Sequence, residues 1–230
     1  MTLLFHADSA LDLKHKLAKL DITVLPRSRG RTTQQTERYA IAHLLSSLPS
    51  SHLPFPLVVE HGDRPDCVIS TRDAAIGIEL TEAVPANVAH ASAMRESGIG
   101  PDTYFIPRAT PGERKKSTAE LREEIELDAP GAPWMGNAPE REWAEAMFHF
   151  VRTKVAKVQK PGFTRFPCNW LVIYDNWPLP SVRLDEACSL LADKFHEKDV
   201  LSTFDRVFVL TSRFLCEVGP TVCLHPAQDP

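Results

Sequence analysis

Three apolar runs set close together constrain this chain more than any other feature. FPLVVE (55–60), PDCVIS (65–70) and AAIGIELTEA (74–83) are separated only by HGDR and TRD. Linkers this short close hairpins and cannot carry a parallel crossover, so the runs read as an antiparallel three-strand meander.

Helical patterns flank the meander. TTQQTERYAIAHLLSSLP (32–49) reads as a helix capped by Thr32 or Thr33 and stopped by Ser47 and Pro49. NAPEREWAEAMFHFVRTKVAKVQKPG (137–162) reads as a second, with Pro139 in its first turn and Pro161-Gly162 ending it. CNWLVIYD (168–175) has the continuous apolarity of a fully buried strand. A helix over 181–198 and a last strand over 205–212 complete the order. Upstream, 9–20 forms a short amphipathic helix, giving 1–31 the character of a helical extension. Residues 84–138 are rich in Pro, Gly and charge and read as an irregular insertion, helical only over 113–127. The pattern predicts an α/β fold with a central mixed β-sheet flanked by helices.

An apolar fraction of 43% with 24% charged residues excludes disorder and fibrous repeats. A formal charge of −4 argues against a chain that is basic throughout, while leaving room for a local basic patch. Cys67, Cys168, Cys188, Cys216 and Cys223 are odd in number and form no C-x-x-C pair, which suits a reducing compartment. His6 and Asp8 interrupt the N-terminus before a leader-like apolar run develops, and no stretch approaches the ~20 apolar residues of a membrane span. A soluble, cytoplasmic protein with no membrane partner is expected. P-loop, dinucleotide-binding and serine-hydrolase signatures are absent from the sequence.

Asp66 opens one strand of the meander and Glu79 lies in the next. Carboxylates on adjacent strands can project toward one sheet edge, which suits a hard divalent cation. The backbone carbonyl of Leu80 is a candidate third ligand, and Glu60, ending the first strand, is a fourth. Gly77 allows a close approach by a backbone or ligand. The plainer alternative is a polar turn followed by a strand whose outward residues happen to be acidic.

Helical angles add to the set. With Ile41 as zero at about 100° per residue, Leu44, Leu45 and Leu48 fall within roughly 60°, and Glu37 at about −40° shares their stripe. With Trp143 as zero, Met147 and Phe150 define an apolar stripe in which Lys154 sits near +20° and Lys157 near −40°. Charges so placed need a partner, a metal or a wet cleft, unless they reach solvent from the helix ends.

With these residues in hand, the chain resembles the PD-(D/E)XK nuclease superfamily. The resemblance rests on RPDCVISTRDAAIGIELTEA and on the helix–three strands–helix–strand order over roughly 33–175. It implies a restriction-endonuclease-like αβββαβ core within a single domain spanning 1–230. It also implies hydrolysis of phosphodiester bonds in DNA or RNA with Mg²⁺ or Mn²⁺ bound by Asp66 and Glu79, and an auxiliary acid at Glu37. The lysine that this family carries two residues after the Glu is Thr81 here. Some members carry it on the following helix, which nominates Lys154 and then Lys157.

Apart from the family, a partly desolvated lysine beside such a cation could stabilise charge on a phosphoryl oxygen. Arg152, Lys154, Lys157, Lys160 and Arg165 form a run without acids, and Arg27, Arg29 and Arg31 precede the first core helix. Both segments are candidate contacts to a nucleic-acid backbone, DNA before RNA, or else a solvated helix face and loop. A homodimer is compatible with this reading. His61 is a weaker candidate beside the metal edge. Trp143, Trp170 and Trp177 read as core residues, and Asp175-Asn176 as a turn. Two rival functions use the same residues: a catalytically inactive nuclease-like fold that binds nucleic acid or protein, and an enzyme acting on another phosphoester.

Overall fold

A computed structural model describes residues 1–198 and 200–230. Its framework is one eight-stranded mixed sheet in which each strand lies beside its predecessor: β1 (Thr2–Ala7), β2 (Leu57–His61), β3 (Cys67–Thr71), β4 (Ala75–Ala83), β5 (Cys168–Asp175), β6 (Arg206–Leu210), β7 (Phe214–Val218) and β8 (Val222–Pro226). β4, β5 and β6 run parallel at the centre, and every other neighbouring pair is antiparallel. The meander is β2–β3–β4.

Strand alternation sorts the core into two layers. Leu57, Val59, Cys67, Ile69, Ile78, Leu80, Trp170 and Val172 face one side, where α1 (Ala10–Leu17) and α2 (Thr33–Ser47) cover them. Ala83, Leu171, Ile173, Val207 and Val209 face the other, under α5 (Ala138–Val158) and α6 (Leu184–Lys198). Thr32 and Gln35 make a reciprocal capping box that fixes where α2 begins.

Three expectations change. The segment 1–31 is not simply a helical extension: β1 pairs with β2, turning Phe5 and Ala7 inward, so the meander becomes a four-strand unit. The insertion 84–138 is less irregular than its composition suggests. α3 (Ala86–Glu96) and α4 (Thr118–Leu127) build a small satellite core from Ala91, Met94, Leu121 and Ile125. Finally, 205–212 is not the last strand, because the β7–β8 hairpin continues the sheet. Among the described residues no helix is long and apolar enough to cross a membrane.

Candidate metal and phosphate site

The β2–β3 turn brings Asp66 to the sheet edge. The N–H of Gly62 donates to the Asp66 carbonyl at 2.9 Å, and the Arg64–Pro65 peptide bond is cis. The β3–β4 ladder ends at Cys67 opposite Ile78. The next N–H on that side, Leu80, therefore lacks a strand partner and donates instead to Asp66 Oδ2 at 2.7 Å. This bond fixes the carboxylate between the two strands.

Glu79 points away from Leu80, toward α5, and is 1% exposed. There Lys154 Nζ donates to Glu79 Oε2 at 2.8 Å and to Asp66 Oδ2 at 3.1 Å. Lys157 Nζ donates to Glu79 Oε2 at 3.1 Å and stands 3.9 Å from Asp66 Oδ1. Two acids and two lysines thus meet on one face, with formal charges that cancel. Each close pair is worth on the order of 5 kcal/mol of gross attraction at an effective dielectric constant near 20, most of it offset by desolvation. For Lys157, burial works against its charge, but attraction to Asp66 and Glu79 outweighs burial and holds its ammonium above the usual lysine range. Glu79 Oε1 has no hydrogen-bond partner although it is buried. A buried carboxylate oxygen left open beside a second carboxylate is the donor chemistry of a hard cation site.

Among the described residues, the other candidate acids make no hydrogen bond to this cluster. Glu37 projects from α2 on the opposite side of the sheet, where its Oε2 lies 2.7 Å from His61 Nε2. Burial raises the Glu37 pKa above the ordinary carboxylate range, opposed by the His61 hydrogen bond. The charge of Asp66 pushes it the same way as burial, so the two acids are within electrostatic reach. Glu60 is half-buried and joins no ion pair among the described residues, and the Leu80 group seen to act is its N–H. Among the described residues no three His, Cys, Asp or Glu side chains gather as a complete metal-binding set. At Gly77 the Phe166 ring stands 2.7 Å from where a Cβ would be, so the close approach that this glycine permits is made by that ring. Thr81 lines a cavity beside the amino end of α2 and makes no bond to the cluster.

The basic candidates divide. Arg29, Arg152, Lys160 and Arg165 are exposed. Arg27 and Arg31 instead fold onto Glu82 Oε1, at 2.5 and 3.1 Å, joined by Asn176 Nδ2 at 2.7 Å. Sequence reasoning passed over Glu82. Its signal was parity: three residues after Glu79 in one strand, it must face the opposite side, toward the arginine-bearing segment.

Trp143, Trp170 and Trp177 are buried as core residues. Asp175 does more than form a turn: its Oδ2 accepts from Trp143 Nε1 at 2.7 Å and its Oδ1 from the Trp177 N–H at 3.0 Å. Burial pushes its carboxyl up to about 6 against these bonds.

No family model, no curated protein and no solved structure matches the chain.

Proposed function

We propose that this chain is a divalent-metal-dependent nuclease that hydrolyses phosphodiester bonds of DNA or RNA on a restriction-endonuclease-like core formed by α2, β2–β4, α5 and β5. The observation that carries this reading is the convergence of Asp66, Glu79 and Lys154 on one sheet face, with Glu79 Oε1 buried and unpartnered. Asp66 and Glu79 would hold Mg²⁺ or Mn²⁺, an ion commonly bound through one or two carboxylates, with waters and substrate phosphates completing its shell. Such an ion supplies neutralisation of phosphate charge and a lowered pKa for bound water.

The chain's own residues do the rest. Leu80 N–H orients Asp66. Lys154, 11% exposed, keeps its ammonium beside both carboxylates, where it can turn its donors to a phosphoryl oxygen. Lys157, 42% exposed, holds its charge beside the same carboxylates, nearer to solvent. Arg152, Lys160 and Arg165 are exposed and are the candidate contacts to the nucleic-acid backbone.

One observation favours a second reading. The two lysines already neutralise the two carboxylates, as a purely structural ion cluster would, and Thr81 stands where the family motif has its lysine. The same fold would then bind nucleic acid or protein without cleaving.

Plasmid nicking in Mg²⁺, together with Mn²⁺ binding followed by electron paramagnetic resonance, separates the two. Nuclease action predicts nicking and Mn²⁺ binding by the wild type, both lost in Asp66→Asn. Nicking that survives in Asp66→Asn, or no Mn²⁺ binding by the wild type, overturns it.

A further inference from the structure

Two oxygens at the centre of the carboxylate–lysine cluster have no room left. A carboxylate oxygen offers about two lone-pair sites to donors. Asp66 Oδ2 accepts from the Leu80 N–H at 2.7 Å and from Lys154 Nζ at 3.1 Å. Glu79 Oε2 accepts from Lys154 Nζ at 2.8 Å and from Lys157 Nζ at 3.1 Å. Of the two lysines only Lys154 hydrogen-bonds to both acids, so its ammonium stands where a cation shared by them would stand.

The lysines are therefore not equivalent. Turning Lys157 away frees a place on Glu79 Oε2 and leaves Asp66 Oδ2 full. Turning Lys154 away frees a place on each acid at once, which is what a bridging cation needs. It also takes the formal charge of the four groups from zero to −1, because Lys157 remains. A divalent ion cannot settle beside both ammoniums without such an exchange, since like charges this close repel and the carboxylates are already matched. The ammonium is also an imperfect occupant. Both lysines crowd Glu79 Oε2, while buried Oε1 has no partner, and a cation that takes several oxygens can use it. Lys154 carries its charge on a flexible four-carbon stem, so it can leave the acids without moving α5.

We propose that Lys154 is the displaceable counter-ion of this site: it holds Asp66 and Glu79 until a divalent ion takes its place, and Lys157 stays beside them. The proposal rests on the nuclease reading for the identity of the ion and goes further in how the site opens. The ammonium released by the exchange is the one that meets a phosphoryl oxygen of the substrate, so one side chain both closes the site to ions and serves the reaction.

The test is Mn²⁺ titration of the full chain, read by electron paramagnetic resonance, in wild type, Lys154→Met, Lys154→Arg and Lys157→Met. Lys154→Met should bind roughly tenfold tighter than wild type, Lys157→Met should gain less, and Lys154→Arg, which keeps the charge, should bind no tighter. Adding Asp66→Asn to Lys154→Met should abolish the gain, which places it at this site. Melting curves in EDTA and in Mn²⁺ show that each variant is folded, and the rise with Mn²⁺ should be largest for Lys154→Met. Acetylation by an N-hydroxysuccinimide ester, located by mass spectrometry, follows the ammonium directly in the wild type. Lys154 should react slowly in EDTA and faster in saturating Mg²⁺, with exposed Lys19 unchanged. This labelling needs no substitution, so it decides the matter where Lys154→Met does not fold. Lys154→Met binding no tighter than a wild type that does bind, or Lys154 acetylation unchanged when Mg²⁺ saturates the wild type, overturns the exchange and leaves the metal site in place. Binding by Lys154→Met but not by wild type upholds the exchange and overturns the nuclease reading. No binding by either overturns both.

Discussion

Lys154 Nζ lies 2.8 Å from Glu79 Oε2, joining residues 75 positions apart across the face between α5 and β4. Neither is at the surface: the lysine side chain is 11% exposed and the glutamate 1%. The pair must therefore be made as the helix docks, and it carries a structural cost if broken.

Replacing Lys154 by Met leaves Lys157, among the described residues, as the one cation paired with two buried acids. Denaturant unfolding should show a loss of about 3 kcal/mol, the order seen when one partner of a buried pair is removed. Lys157→Met should lose less, about 1 kcal/mol, because its side chain is 42% exposed against 11% for Lys154. Equal losses would mean that burial does not rank the two lysines. If the nuclease reading holds, Lys154→Met also lowers nicking by roughly 100-fold, and Lys157→Met by much less.

The buried Asp175 carboxyl, pushed up to about 6, makes a pH prediction. Its folded pKa exceeds its unfolded value, so between these values the folded state binds the extra proton. Its contribution to stability is therefore full at low pH and is lost as pH rises from about 4 through about 6. Compared with Asp175→Asn, which can still accept from Trp143 Nε1, the wild type should lose on the order of 3 kcal/mol between pH 4 and 7. A constant difference across that range would refute the assignment.

Glu37 is raised by burial and held down by its bond to His61. Removing the ring in His61→Ala should move the Glu37 carboxyl titration further upward, read by carbon NMR of the side chain. A downward shift would show that the imidazole does not stabilise the carboxylate.

At Gly77, a Cβ would stand 2.7 Å from Phe166 Cδ2 and 3.3 Å from Pro65 Cγ. Gly77→Val should cost about 1–3 kcal/mol through overpacking. Because Pro65 adjoins Asp66, Mn²⁺ affinity should fall with it if the acids hold the ion. Trimming the ring in Phe166→Ala should restore part of the stability, and failure to do so would place the strain elsewhere.

The residues that declared themselves in sequence share a physical trait: strong periodicity with clear stops. α2 had a capping box, both α2 and α5 had Pro at an end and a wide apolar stripe, and β5 had an unbroken apolar run. The meander followed from linker length alone. β1 was hidden because its outward positions carry Thr2 and His6 and only Phe5 and Ala7 are buried, too short an alternation to separate from loop. α3 was hidden because its inward face is made of Ala91 and Met94 with little bulk, and its support comes from α4. β7 and β8 are five residues each and gain their meaning from pairing. At the site, helical angle brought Lys154 and Lys157 to the right stripe, since both lie on one regular element. Glu37 lies on the expected core-facing stripe, but its hydrogen bond goes to His61, a partner that helical angle alone does not name, while Asp66 and Lys154 act on it through their charges. Which face of the sheet a helix covers is decided by chain crossing, and no periodicity records it.

α5 is gripped at two places. Near its start the Trp143 indole is pinned to Asp175, and eleven residues on, about 16 Å along the axis, Lys154 is pinned to the acids of β3 and β4. A rod clamped twice along one seam can neither roll nor slide, so the ammonium group is aimed by a tryptophan it never touches. Loosening the far clamp should detune the near one without altering a single atom there.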